Sequence, residues 1–189
     1  MVEIIASIRN RKSARHYDGR KLSQGEIDQL LEAFRWAPSS LNRQPWRVIV
    51  AQGQPASDAW NAALSETNRA WATAAPLKLV VLGNPEEQPD QHGQHRWLVD
   101  CGLALGQMLI QACAMGLSVR AMVGFDEERA RAGFAIPAPF RVVVLVAAGY
   151  PGRVETLAPE VQEKERRPRV RKSIADIAFA DRFGAAWTA

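Results

Sequence analysis

The residues of this chain whose types and spacing could do chemistry fall into two clusters near its beginning, separated by one amphipathic segment. The first, Arg9 to Arg15, contains Arg11, Lys12, Ser13 and Arg15, enough cationic and hydroxyl donors to hold a dianion. The second, Ala37-Pro-Ser-Ser-Leu-Asn-Arg-Gln-Pro-Trp46, offers backbone and amide groups suited to the edge of a heteroaromatic ring. Together they point to a planar ligand that carries a phosphate. A third basic run, Arg166-Arg-Pro-Arg-Val-Arg-Lys172, could add Arg169 and Arg171 to the same phosphate if the tail folds back, and the alternation Arg169-Val170-Arg171 suits an extended arm with both arginines on one side. Each charge-assisted contact would contribute roughly 1.5–3 kcal/mol.

Other chemistries find little support. No Gly-x-Ser-x-Gly elbow is present, and Cys101 and Cys113 lie within one apolar helical pattern, so no catalytic nucleophile, acid or base is assigned. His92 and His95 stand in a Gln-rich stretch without a Cys or carboxylate cluster of recognised spacing, and no metal is expected. Neither Gly-x-Gly-x-x-Gly after a strand nor a Walker-type loop occurs, so a phosphate must be held by side chains. Six basic residues crowd Lys164 to Lys172, but no aromatic residue interleaves with them as a base-stacking platform, which argues against nucleic acid.

The elements that must position these residues are legible in outline. A short helix over residues 2–9 carries Ile4, Ile5 and Ile8 on one face. Ser23 and Glu26 form a capping box ahead of Ile27, Leu30, Leu31 and Phe34, and Pro38 stops that helix. Strands are predicted over Trp46–Ala51, Lys78–Leu82, Leu117–Val123 and Phe140–Ala148, the last in a central position. One helix is expected from about Asp58 to Trp71, and the longest from Trp97 to Gly116, nearly buried all round. Between Asn84 and Gln94 a polar, aperiodic stretch reads as a surface loop. The tail from Gly152 to Ala189 holds stranded apolar residues, which suggests packing on a second subunit.

Composition frames this as one domain spanning residues 1–189. Hydrophobic residues make up 47% and charged residues 23%, enough apolar content for a sizeable core. The net charge of +4 is spread among 24 basic and 20 acidic residues, so a single small phosphate ligand accounts for it without a polyanionic partner. The cysteines stand twelve positions apart on one helix, roughly 18 Å, and cannot bridge each other. With no hydrophobic leader read at the start and no run near the roughly 20 apolar residues of a span, a reducing cytoplasmic setting is expected, with no membrane partner.

In order and spacing the motifs resemble those of the FMN-dependent nitroreductase family. Arg11 to Arg15 is similar to the family's Arg-x-Ser-x-Arg/Lys element, and Ala37 to Trp46 matches its Ala-Pro-Ser-Ser-x-Asn-x-Gln-Pro-Trp element at every defined position. Asp100, Gly102, Ala104 and Leu109 through Leu117 resemble its long central helix, Val123 to Asp126 the segment facing the flavin, and Arg169-x-Arg171 its terminal phosphate-binding pair. The resemblance implies an α+β fold with a mainly antiparallel central sheet flanked by helices, and a C-terminal tail exchanged across a homodimer. It implies FMN as cofactor and NADH or NADPH as electron donor. Arg11 and Ser13, with the adjoining Lys12, would grip the phosphate end together with Arg169 and Arg171. Arg15 would sit by the N1–O2 edge of the ring, where a fixed cation stabilises the charge that reduction adds.

By the same resemblance Pro38, Ser39 and Ser40 would come from the partner subunit with Asn42 nearby, Asn68 would meet the pyrimidine edge, and Val123 and Gly124 would offer backbone amides near N5 and O4. The chain departs from longer members at Trp71, where they carry a lysine facing the ring. The implied activity is ping-pong hydride transfer from NAD(P)H to a small acceptor such as a nitroaromatic, a quinone or an activated alkene. A specialised flavin reaction within the family, or a non-catalytic basic module, stay open as alternatives.

Overall fold

Residues 46–50 (β1), 77–83 (β2), 118–122 (β3) and 141–149 (β4) build one sheet in the order β1-β2-β4-β3, with every pairing antiparallel, in the computed structural model, which describes residues 3–187. β-branched and aliphatic runs form the two inner strands, and β2 is buried along its whole length. The strand predicted to be central, β4, is indeed interior, and the α+β architecture stands as expected.

Seven α-helices accompany the sheet among the described residues: α1 (Ala6–Asn10), α2 (Gln24–Arg35), α3 (Gln54–Ala63), α4 (Glu66–Ala72), α5 (Arg96–Ala114), α6 (Glu127–Gly133) and α7 (Pro159–Arg166). Helices α2 and α5 cover one sheet face, where Leu30, Phe34, Ala104 and Met108 meet Leu79, Val81 and Val146. Trp60 of α3, Ala72 of α4 and Ala130 of α6 cover the other, against Val80, Leu82 and Leu145. The sheet is thus a two-sided core. The capping box at the start of α2 is present, with the Ser23 hydroxyl accepting from the Glu26 amide and the Glu26 carboxylate accepting from the Ser23 amide.

Three expectations need correction. The single helix predicted from about Asp58 to Trp71 is two, because Leu64 is extended and bridges Phe125 while Ser65 N–H donates to Gly124 O at 3.0 Å. Local helical periodicity there yields to pairing with a distant segment. Helix α6 was not foreseen; its Asp126 cap accepts from the Arg129 amide. Helix α5 is not buried all round, since Leu98, Val99, Gly102 and Leu103 are exposed in the single chain while Cys101, Ala104, Met108 and Ala112 face inward. By length and composition alone α5 could cross a membrane, with 19 residues and mean hydropathy 1.3, which the sequence reading did not anticipate. Core helices reach the same values, and α5 packs its inner face on α2 and the sheet.

The chain divides into two compact units, residues 1–157 and 158–189. The second contains α7, an irregular stretch, a capped turn at Ile174–Asp176 and a Phe179–Phe183 ring contact at 4.6 Å. Its Val170, Ile174, Ile177, Phe183 and Trp187 are exposed.

Trp60 is fully buried and its indole N–H donates to Leu79 O at 3.0 Å. Trp60→Ala should therefore cost about 3–5 kcal/mol in urea unfolding, and a loss under about 1 kcal/mol would contradict its central place. Burial pushes the Cys101 thiol from an ordinary 9.0 up to about 12. Its share of stability is full below the unfolded value and is lost as pH climbs from about 9 through 12. In the native protein Cys101 should resist a thiol reagent at pH 8 and react once urea unfolds the chain; mass spectrometry of labelled peptides reads this directly.

Candidate functional site

After α1 the chain runs extended beside the segment that follows β4. Tyr17 bridges Pro151, Asp18 N–H donates to Tyr150 O at 3.1 Å, and Gly152 N–H donates to His16 O at 3.3 Å. Ala14 and His16 are buried, whereas Arg11, Ser13 and Arg15 are half-buried, and the chain bends at Arg15. Arg11, Ser13 and Arg15 thus form a half-buried strip of donors, in which Arg11 and Ser13 meet directly. Arg11 Nη1 donates to Ser13 Oγ at 2.9 Å, and Lys12 itself is exposed.

The strip rests on β3. Ser118 Oγ accepts from the Ala14 amide at 3.2 Å and donates to Lys12 O at 3.4 Å, and Arg120 Nη1 donates to Ser13 O at 2.7 Å. The Arg120 guanidinium also lies 5.2 Å from the Trp71 ring centroid, a cation–π arrangement at the position where a lysine was missing from the expected motif. Neither Ser118 nor Arg120 was singled out from the sequence. The period-2 signal was there: polar residues flank buried Val119 in a strand, so both stand on one face.

Beyond β3, Gly124 is held by two donors. Ser65 N–H and Asn68 Nδ2 both reach its carbonyl at 3.0 Å, and Asp126 N–H donates to Ala63 O at 2.8 Å. A Cβ on Gly124 would stand 2.8 Å from Asn68 Nδ2 and 3.0 Å from Ser65 Oγ, so a side chain there would have to push both groups aside. Val123 beside it is 81% exposed. From Ser118 to Gly124 the edge spans about 20 Å at 3.3 Å per residue, with cations at one end and neutral amides at the other.

The second cluster does not join this edge. Its loop holds Leu41, Asn42 and Gln44 at positive φ and is braced by Gln44 N–H donating to Ser39 Oγ at 2.9 Å. Ser40 N–H donates to Asp100 Oδ1 at 3.3 Å, and Arg96 Nη2 to Ser40 Oγ at 2.6 Å, tying the loop to the start of α5. Pro38 and Asn42 are exposed, Ser39 and Ser40 half-buried. The loop feeds Trp46, which opposes Gly83, which opposes Arg141; Ser118 opposes Gly149. The two clusters therefore stand at diagonal corners of the sheet, about 25–30 Å apart at 4.8 Å per strand and 3.3 Å per residue. Arg169 and Arg171 lie in the second unit, exposed, on the irregular stretch after α7.

These motifs have counterparts in known proteins. The model of the nitroreductase family matches residues 8–150, and the chain belongs to that family. An NADH dehydrogenase of Thermus thermophilus is 30% identical over 75% of this chain and 83% of its own length. A solved structure described as an oxidoreductase containing FMN superposes with a TM-score of 0.86 at 28% identity, covering 97% of this chain and 94% of its own. A nitroreductase family protein from Clostridium difficile gives 0.76 at 25% identity, over 96% of this chain and all of its own.

Ser118→Ala should leave the buried Ala14 amide without its acceptor, at about 1–3 kcal/mol. Faster amide exchange at Ala14, with helix α2 unaffected, is the expected reading; unchanged exchange would remove Ser118 from its role as anchor.

Proposed function

We propose that the chain is an FMN-dependent oxidoreductase that draws hydride from NADH or NADPH. The observation that carries this reading is the half-buried strip Arg11, Ser13, Arg15, whose backbone is held on an edge strand with Asn68, Val123 and Gly124 beyond its far end. The donor set fits the cofactor: cations and a hydroxyl suit a phosphate, and neutral amides suit a heteroaromatic edge. When bound, FMN supplies hydride acceptance from the nicotinamide and its delivery from N5 to a nitroaromatic, quinone or activated alkene that takes the same seat in turn.

The chain's own residues bind and orient. Arg11 and Ser13, with Lys12 beside them, hold the phosphate, joined by Arg169 and Arg171 of the tail. Arg15 is the cation assigned to the ring, where a fixed positive charge stabilises what reduction adds. Asn68, one of whose amide groups already clamps Gly124, orients the pyrimidine edge, and Gly124 with Val123 contributes main-chain amides. No side-chain acid, base or nucleophile is assigned a step.

The active form is a homodimer. A strip and a loop at diagonal corners of one sheet form a complete site only when a second copy brings Pro38, Ser39 and Ser40 of the partner subunit, with Asn42 of the partner subunit nearby. The exposed Leu98, Val99 and Leu103 of α5, and the exposed apolar residues of the tail, are surface that association would cover. All 189 residues then serve as one flavin-binding domain whose tail lies across its partner, and two free thiols suit a reducing cytoplasm.

Purified protein should be yellow and take up FMN saturably; a colourless protein with no saturable uptake would overturn the reading. Arg11→Ala should weaken FMN about thirtyfold, the equivalent of roughly 2 kcal/mol. Stopped-flow reduction by NADH and NADPH, followed by reoxidation with a panel of acceptors, identifies donor and acceptor. Light scattering should give a dimer, and a stable flavin-loaded monomer would contradict the shared site.

A further inference from the structure

Lys78 is an unusual residue for the second strand of a two-sided sheet. Leu77 and Leu79 pack into the α2–α5 face, so Lys78 emerges beneath α3, where only 6% of its surface is exposed. Its Nζ donates to Ser57 Oγ at 2.6 Å and lies 5.6 Å from the Trp60 ring centroid. An ammonium has three donors. Among the described residues no carboxylate comes within ion-pair distance of it, and Asp58, the nearest acidic influence, has its Oδ1 accepting from Gln54 Nε2. Burial accordingly pushes the ammonium below the ordinary lysine range.

A buried charge without a counter-ion is costly, and it persists where something else compensates it. A cavity of about 480 Å³ opens at this point, lined by Lys21, Gln52, Gly53, Gln54, Ser57 and Lys78 among others, with no Asp or Glu in its wall. Gly53, at φ 78, is the N-cap of α3 and offers no side-chain acceptor; Pro55 has no N–H and the Ser57 amide donates to Gly53 O at 3.0 Å, which leaves the Gln54 and Ala56 amides at this helix end without a side-chain acceptor. Every charged group lining this cavity is cationic. It lies at the ends of β1 and β2, where Lys78 opposes Ala147 of β4, the residue whose other neighbour is Arg120 of β3.

We propose that this cavity is a second binding site, which takes a small molecule through a carboxylate or phosphate group held by Lys78 and Ser57. Binding requires no covalent step and is independent of the flavin reading. Protein saturated with FMN is titrated calorimetrically with inorganic phosphate and, separately, with acetate. Saturable binding of at least one is expected, and the arm that responds names the anion. Lys78→Met should weaken it about ten- to a hundredfold, and Ser57→Ala to a smaller degree. Arg11→Ala should leave it intact, which separates this site from the flavin phosphate. Absence of saturable binding in both arms, or a Lys78→Met protein that binds like wild type, overturns the proposal. If Lys78→Met does not fold, Ser57→Ala decides: unchanged affinity overturns it.

Discussion

The register of β3 on β4 constrains everything else about the site. By setting Ser118 opposite Gly149, it aligns the edge strand so that one serine hydroxyl and one guanidinium fall under the N-terminal strip, and so that Gly124 emerges beside Ser65. A shift of one residue would turn Ser118 and Arg120 to the opposite face and bring Val119 in their place. The strip would then have neither its acceptor for the Ala14 amide nor the donor to Ser13 O. Helix α5, whose inner face is pinned by Cys101, Ala104 and Met108, delivers the chain into β3 and helps hold that register.

The same register keeps the two sequence clusters apart. Motifs separated by about twenty residues invite the assumption that they meet, yet the sheet carries them to opposite corners. What looks in one dimension like a contiguous binding element is two half-sites that face different edges. Association of two copies is the economical way to unite them, and the exposed outer face of α5 is where a single chain leaves apolar surface uncovered.

The position expected to carry a cation holds the indole of Trp71, while a cation reaches the same neighbourhood from β3 as Arg120, over that ring. Arg120 is tied to Ser13 O as well, so the strip, β3 and α4 form one connected unit. Lys78 is a lysine on a strand where the apolar pattern would place an aliphatic residue, and its Nζ meets the Ser57 hydroxyl and the Trp60 ring but no carboxylate.

By itself the sequence determined the secondary structure that rests on local periodicity: the four strands, the capped helix α2 and the long helix α5, each within a few residues of its bounds. It also showed the donor types of the strip, cations and a hydroxyl within five residues. Only the tertiary structure decided that α3 and α4 are separate helices, since the break at Leu64 exists to pair with Phe125 and Gly124, far along the chain. It alone revealed Ser118, Arg120 and Ser65 as anchors, and the buried setting of Lys78. The physical reason is common to all of these: hydrogen bonds between segments some twenty to a hundred residues apart leave no period in either segment. Burial of a charge is likewise set by what packs over it, not by its neighbours in the chain.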